Sequence, residues 1–137
     1  MALQFSTTVR NAILDTIEST IGTTAVLKIR TGAAPATVAT ADSGTILATL
    51  TLPSDWMAAA SSGSKAKSGT WSDTSADATG TAAHWRLYAS DGTTAHMQGT
   101  VAATGGGGGG DMIVDSTSFT AGQTFTITTF TLTAPGA

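Results

Sequence analysis

The stretch "TAAHWRLYASDGTTAHMQGTVAA", residues 81–103, holds two alternating apolar–polar runs on either side of Asp91-Gly92. A period of two fits a strand and not a helix, and Asp-Gly supplies the backbone freedom of a tight turn, so this stretch reads as an antiparallel hairpin. If Asp91 and Gly92 were the whole loop, Trp85 would face Gln98 and Leu87 would face His96, pairing apolar with polar throughout. A three-residue loop Ser90-Asp91-Gly92, with Gly92 left-handed in a bulge, pairs Leu87 with Ala95, Trp85 with Met97 and Ala83 with Gly99. One face then becomes consistently apolar, which selects this register. The predicted outer face carries His84, Arg86 and Tyr88 opposite Gln98, His96 and Thr94. A hairpin with one apolar face must be covered by further chain, and the rest of the sequence supplies it.

Helical periodicity occurs at the start. Ser6 or Thr7 can cap a helix over 7–21 in which Val9, Ile13, Ile17 and Ile21 recur every four residues, with Leu14 widening the stripe and Gly22 as the stop. Arg10, Asp15 and Glu18 fall on other faces. The stripe must cover something apolar, either the chain's own sheet or a neighbouring subunit. In "TAVLKIRTG", Leu27 and Ile29 share one face and Lys28 and Arg30 the other, the pattern of a half-buried strand. "GAAPATVATADSG" is loop, and "TILATLTLP" puts Ile46, Ala48, Leu50 and Leu52 in phase before Pro53 ends the strand. Between Ser54 and Gly80 the pattern is least regular, with a short strand expected around Trp71. Trp56, Met57 and Trp71 there need burial, in this domain's core or in an intersubunit contact. "DMIVDS" is a short strand. In "AGQTFTITTFTLTAP", Phe125 and Ile127 have one parity and Phe130 and Leu132 the other, so a β-bulge near Thr128 and Thr129 would return all four to one side.

The expected fold is therefore mainly β: a single β-sandwich or jelly-roll-like domain of about seven strands with one N-terminal amphipathic helix. One domain spans 1–137, with the helix at about 7–21, the sandwich at about 24–133 and a glycine-rich internal loop at 104–110. The six consecutive glycines Gly105 to Gly110 satisfy a dinucleotide-binding G-x-G-x-x-G trivially. That motif needs a strand before it and a helix after it; here a strand-like "DMIVD" follows, and no Gly-Lys-Ser/Thr occurs. The run reads as an unconstrained loop that takes its shape from a neighbour or stays disordered.

Composition narrows the function. Charged residues are 11 %, against about 25 % in an average soluble domain, and Thr, Ser, Ala and Gly fill the gap. The six basic residues are dispersed and the net charge is −3, so no clustered basic face for nucleic acid is present. Cysteine is absent, which removes disulfides and thiolate metal sites. No secretory signal and no membrane-length apolar run is visible, so a cytoplasmic origin is expected. His84 and His96 could begin a metal site on the hairpin, but a third ligand is missing nearby and Arg86 would repel a cation. Asp73, Asp77, Asp91, Asp111 and Asp115 sit where aspartate closes turns, and no strained-turn serine nucleophile is present. No catalytic residue, cofactor or metal is assigned, and a non-enzymatic role is expected.

Taken together, "LKIRTGAAPATVATADSGTILATLTLP", "GTAAHWRLYASDGTTAHMQGTV" and "GGDMIVDSTSFTAGQTFTITTFTLTAPG" resemble small virion structural proteins of tailed bacteriophages, over about residues 23–135. The resemblance implies a β-rich, non-enzymatic subunit repeated on the head or in the tail and assembled in the host bacterial cytoplasm. Its partners would be itself and other virion proteins such as the major capsid protein, with no nucleic acid and no membrane. The first expectation is a capsid decoration (cement) protein that stabilises the assembled head. The alternative is a tail- or fibre-associated receptor-binding module, recognising carbohydrate through Trp56 or Trp71. The candidate interface residues are Val9, Ile13, Ile17, Trp56, Met57, Trp71, Gly105 and Gly110.

Overall fold

The computed structural model describes residues 3–103 and 112–137. The glycine run, with the candidate interface positions Gly105 and Gly110, lies outside the described residues. Helix α1 (Thr7–Ile21) is followed by β1 (Val26–Arg30), β2 (Ile46–Thr51), β3 (Ser64–Ala66), β4 (Ser72–Asp73) and β5 (Gly80–Thr81). Then come β6 (His84–Tyr88), β7 (Ala95–Ala103), β8 (Met112–Val114), β9 (Ser118–Phe119) and β10 (Phe125–Thr133). The fold is mainly β with one N-terminal helix, a sheet curled into a half-barrel of sandwich-like form. Among the described residues there are ten strands, against about seven expected. The additional ones are pieces of two or three residues, too short to leave an alternating pattern in sequence.

The main sheet runs β2-β1-β6-β7-β8-β10-β3, with β4 also paired to β10. All its pairs are antiparallel except β7–β8, which is parallel with Val101 opposite Met112 and Ala103 opposite Val114. Only the eight residues 104–111 separate these two strands in sequence, whereas a parallel pair usually needs a crossover of a dozen or more. The free edge of β2 does not meet water as an open ladder. Asp77 N–H donates to the Leu47 carbonyl (2.8 Å) and Thr49 N–H donates to Asp73 Oδ2 (3.0 Å), so the end of β4 and the segment after it cover that edge.

Local signals set the boundaries. Ser6 Oγ accepts from Val9 N–H (3.3 Å) as the N-cap of α1, and Gly22, with φ +91°, ends the helix by donating to the Glu18 carbonyl. In β10 the register shifts between Ile127 and Thr129, the expected bulge, and Phe125, Ile127 and Phe130 all enter the core. Gly92 is left-handed (φ +69°), as the turn requires. The hairpin register differs from the expectation. Leu87 pairs with Met97 and Trp85 with Gly99, while Tyr88 pairs with Ala95 across a bulge that leaves His96 over. The cause is a longer loop: Asp91 Oδ1 accepts from the N–H groups of Thr93 and Thr94, drawing Thr93 into the turn, and Ala89 N–H closes it on the Thr94 carbonyl. Since the slip is two residues, Trp85 and Leu87 stay on the core face.

One core joins Leu27, Ile29, Leu47, Leu50, Trp85, Leu87, Met112, Val114 and Phe130 with the irregular 54–80 segment. Trp56, Met57 and Trp71 are all enclosed in it, so of the two places open to them they take the domain's own core. The aromatic rings run in series: Trp56 to Trp71 (centroids 6.1 Å), Trp71 to Phe130 (5.6 Å), and Phe130 edge-on to Trp85 (5.3 Å). Trp56 Nε1 donates to the Gly22 carbonyl (3.0 Å), which ties the end of α1 to this series.

Candidate functional site

Polar side chains of α1 bond back to the protein, although the Asp15 side chain stays 51 % exposed. Asn11 Oδ1 accepts from Gly63 N–H (2.9 Å), Asp15 Oδ1 from Ala60 N–H (3.1 Å), and Glu18 Oε1 from Met57 N–H (3.0 Å). Positions 11, 15 and 18 are neighbours along one helix face, so this face satisfies the backbone donors of the 57–63 segment. Lys65, only 3 % exposed, closes the latch with Nζ 2.7 Å from Asp15 and 3.0 Å from Glu18. At the other end Arg10 Nη2 donates to the Ala134 carbonyl (2.9 Å). Leu14 and Ile21 enter the domain beside this polar face, and Ile17 is half-buried against the core.

The rest of the apolar stripe is left in solvent. Val9 is 43 % and Ile13 37 % exposed, and before the helix Leu3 (74 %) and Phe5 (37 %) are also exposed, Phe5 donating its N–H to the Gly136 carbonyl (2.9 Å). Toward the C-terminal end of α1 a groove of about 300 Å³ opens, lined by Thr16, Ile17, Thr20, Ile21, His96 and Met97. The expected interface residues Val9, Ile13 and Ile17 therefore fall on one continuous face, while Trp56, Met57 and Trp71 do not belong to it. The sequence signal for the helix was right in period, but nothing in it showed that Asn11, Asp15 and Glu18 would be consumed internally.

The latch responds to pH at both extremes. The hydrogen bond from Lys65, then that from Ala60 N–H, holds the Asp15 carboxyl below its ordinary value of 3.8. Burial works against the Lys65 ammonium, but the Asp15 and Glu18 carboxylates outweigh it and raise its pKa above 10.5. A depressed carboxylate stabilises above its unfolded value and is lost on acidification; a raised lysine stabilises below its unfolded value and is lost on alkalinisation. The stability gap between wild type and Lys65→Met is thus expected to be flat from about pH 4 to about pH 10.5 and to narrow outside that window, read by thermal unfolding across pH.

A second built region lies on the opposite surface of the hairpin. His84, Arg86 and Tyr88, expected on an outer face, are buried because the 31–45 loop folds over them. Asp42 is the hub: Oδ1 accepts from Arg86 Nη1 (2.6 Å) and Tyr88 Oη (2.8 Å), and Oδ2 accepts from Arg30 Nη2 (2.8 Å). Arg86 also donates to the carbonyls of Thr40 and Val38, Arg30 lies close to those of Ser43 and Gly44, and Gln98 donates to that of Pro35. Burial, then the neighbouring Asp42, raises the pKa of the Tyr88 hydroxyl, which keeps it a donor. A loop this long without secondary structure would ordinarily be mobile; here buried guanidinium groups fix its backbone. No sequence signal marks Asp42 as the partner, since it is 44 residues from Arg86.

His84 is buried with Nδ1 2.7 Å from the Gly32 carbonyl, whereas His96 is exposed beside α1. Among the described residues no group of three or more His, Asp or Glu side chains is placed to hold a metal ion, and no helix is long and apolar enough to cross a membrane. A cleft of about 520 Å³ at the C-terminal end of α1 is lined in part by Asp15, Glu18, Asp55 and Lys65, three of which form the latch. Comparison with known proteins finds no family model, no curated protein and no solved structure that matches the chain.

Proposed function

We propose that this chain is a structural subunit of a bacteriophage particle, a decoration protein that binds the assembled head and reinforces it in contact with other copies and with the shell protein. The observation that carries this reading is the outward face of α1. A helix whose Asp15 and Glu18 carboxylates bond to its own domain and which leaves Val9 and Ile13 in water is arranged for coverage by protein. The face carries no charged residue, the composition of an interface centre rather than a solvated rim. The pinned 31–45 loop supports the same reading, because its ordering cost is met before any partner arrives. Repeated over a shell, weak single contacts become effective. The sugar-stacking residues on which the receptor-binding alternative relied, Trp56 and Trp71, have no exposed ring face.

The test is binding to purified particles that lack the chain. Wild type is expected to co-sediment at a copy number comparable to that of the shell protein and to raise the temperature at which particles lose their contents. Val9→Ser with Ile13→Ser removes on the order of 1 kcal/mol of burial at each position and should weaken binding about 30-fold while leaving the isolated fold intact. Absence of the chain from purified virions, or a few copies confined to the tail, would sink the proposal.

A further inference from the structure

We propose that the cavity between the 31–45 loop and the hairpin turn is a binding site for a small oxyanion, held by the Arg86 guanidinium. What points to a ligand is a surplus of buried positive charge. Arg30 and Arg86 are both buried, and among the described residues Asp42 is the one carboxylate within ion-pair distance of either. Buried charges are ordinarily paired, so two guanidinium groups that share one carboxylate leave a positive charge covered only by neutral acceptors. Lys28 adds to the surplus. It is the direct cross-strand partner of Arg86, its Nζ lies 4.8 Å from the centre of the Tyr88 ring, and its hydrogen bond goes to the neutral Gly92 carbonyl. Like charges directly opposite one another destabilise a sheet, and an anion beside them offsets that. The Asp91 carboxylate at the turn does not serve, because Thr93 and Thr94 take up its oxygens.

Donors are in surplus as well. Thr40, Val38 and Asp42 accept from the Nη atoms of Arg86, but its Nε has no acceptor, and neither has the Nε of Arg30. A buried donor without an acceptor is costly and marks a place where an ion belongs. Beside Arg86 lies a cavity of about 350 Å³, lined by residues 38–42, Arg86, Thr93 and Ala95. That is many times the roughly 30 Å³ share of one water molecule. Ala39, Thr40, Ala41 and Thr93 are exposed, so the cavity is open to solvent while a buried guanidinium stands in its wall. Asp42 also borders it, but both carboxylate oxygens are engaged, by Arg86 and Tyr88 on one side and Arg30 on the other. The fitting occupant is a compact oxyanion, a phosphate or a carboxylate, which an arginine grips through neighbouring nitrogens. The site lies across the hairpin from α1 and does not depend on what covers the α1 face.

The test uses the full chain and inorganic phosphate, titrated at constant ionic strength with chloride as the balancing anion. Nuclear magnetic resonance should show saturable shifts at the Arg86 Nε–H and at the amides of Ala39, Ala41, Thr93 and Ala95. Half-saturation is expected in the millimolar range, and the thermal midpoint should rise with occupancy. Acetate in place of phosphate separates the sources. An equal response means that the site takes a carboxylate, as an acidic side chain of a neighbouring protein supplies; a response about tenfold weaker means that it takes free phosphate. An acid built into the wall should replace the ligand. Ala39→Asp, at an exposed position, is expected to raise the midpoint above that of Ala39→Asn at low salt and to weaken phosphate binding about tenfold. A phosphate response no larger than that to chloride, or one that Ala39→Asp leaves unchanged, overturns the site. Shifts as strong around Arg10 and Lys67 as around Arg86 mean counter-ion screening only and overturn it too.

Discussion

Asp42→Asn is expected to cost the domain about 3 kcal/mol, the lower part of the range for removing one partner of a buried ion pair. The carboxylate is itself 38 % exposed, but what it leaves behind is not: the Arg86 and Arg30 side chains are 1 % and 6 % exposed. Both depend on it for charge compensation, and Asn offers one acceptor where three donors converge. The denaturation midpoint should fall without a change in slope. Amide exchange should accelerate at Thr31 and Thr45, whose N–H groups bond across the base of the loop. If the variant lies within about 1 kcal/mol of wild type and these amides keep their protection, the backbone carbonyls hold the loop without the carboxylate and the hub role of Asp42 is wrong.

Phe130→Ala is expected to be the most damaging single change, about 4 kcal/mol, which lowers the thermal midpoint by roughly 10–15 °C in a domain of this size. Phe130 is 3 % exposed and bridges Trp85 to Trp71, so its removal opens a cavity between rings that cannot close over it. The damage should spread to α1, because Trp71 stacks toward Trp56 and Trp56 holds the Gly22 carbonyl. Near-ultraviolet dichroism should lose tryptophan signal together with the drop in midpoint. A loss under about 1 kcal/mol would mean that the aromatic series repacks and is not the rigid centre of the core.

What could be read from the chain follows the range of the interaction responsible. The bounds of α1 follow from Ser6, a four-residue apolar period and Gly22, each a signal local to the part of the helix it sets. The bulge in β10 follows from a parity change inside one segment, and the core faces of Trp85 and Leu87 from alternation. The hairpin register was missed by two residues because Asp91 draws Thr93 into the turn, a choice between neighbouring loop lengths that alternation does not distinguish. Asp15 and Glu18 read only as lying off the apolar stripe, and form a latch because the 57–65 segment brings Met57 and Ala60 N–H groups and a buried lysine to them.

The sequence by itself therefore determined a mainly β domain, its helix, its turn glycines and a low-charge composition suited to contact with other protein. Only the tertiary structure decided which side of α1 faces water, that Trp56, Met57 and Trp71 fill the domain's own core, and that His84, Arg86 and Tyr88 lie beneath a loop. The physical reason is that periodicity records the shape of an element, whereas burial depends on which distant segment pays for its desolvation. Arg86 is a surface residue by pattern and an interior one by virtue of Asp42, and Val9, whose stripe the pattern leaves open between the chain's own sheet and a neighbouring subunit, faces water because Asn11, Asp15 and Glu18 had donors to meet.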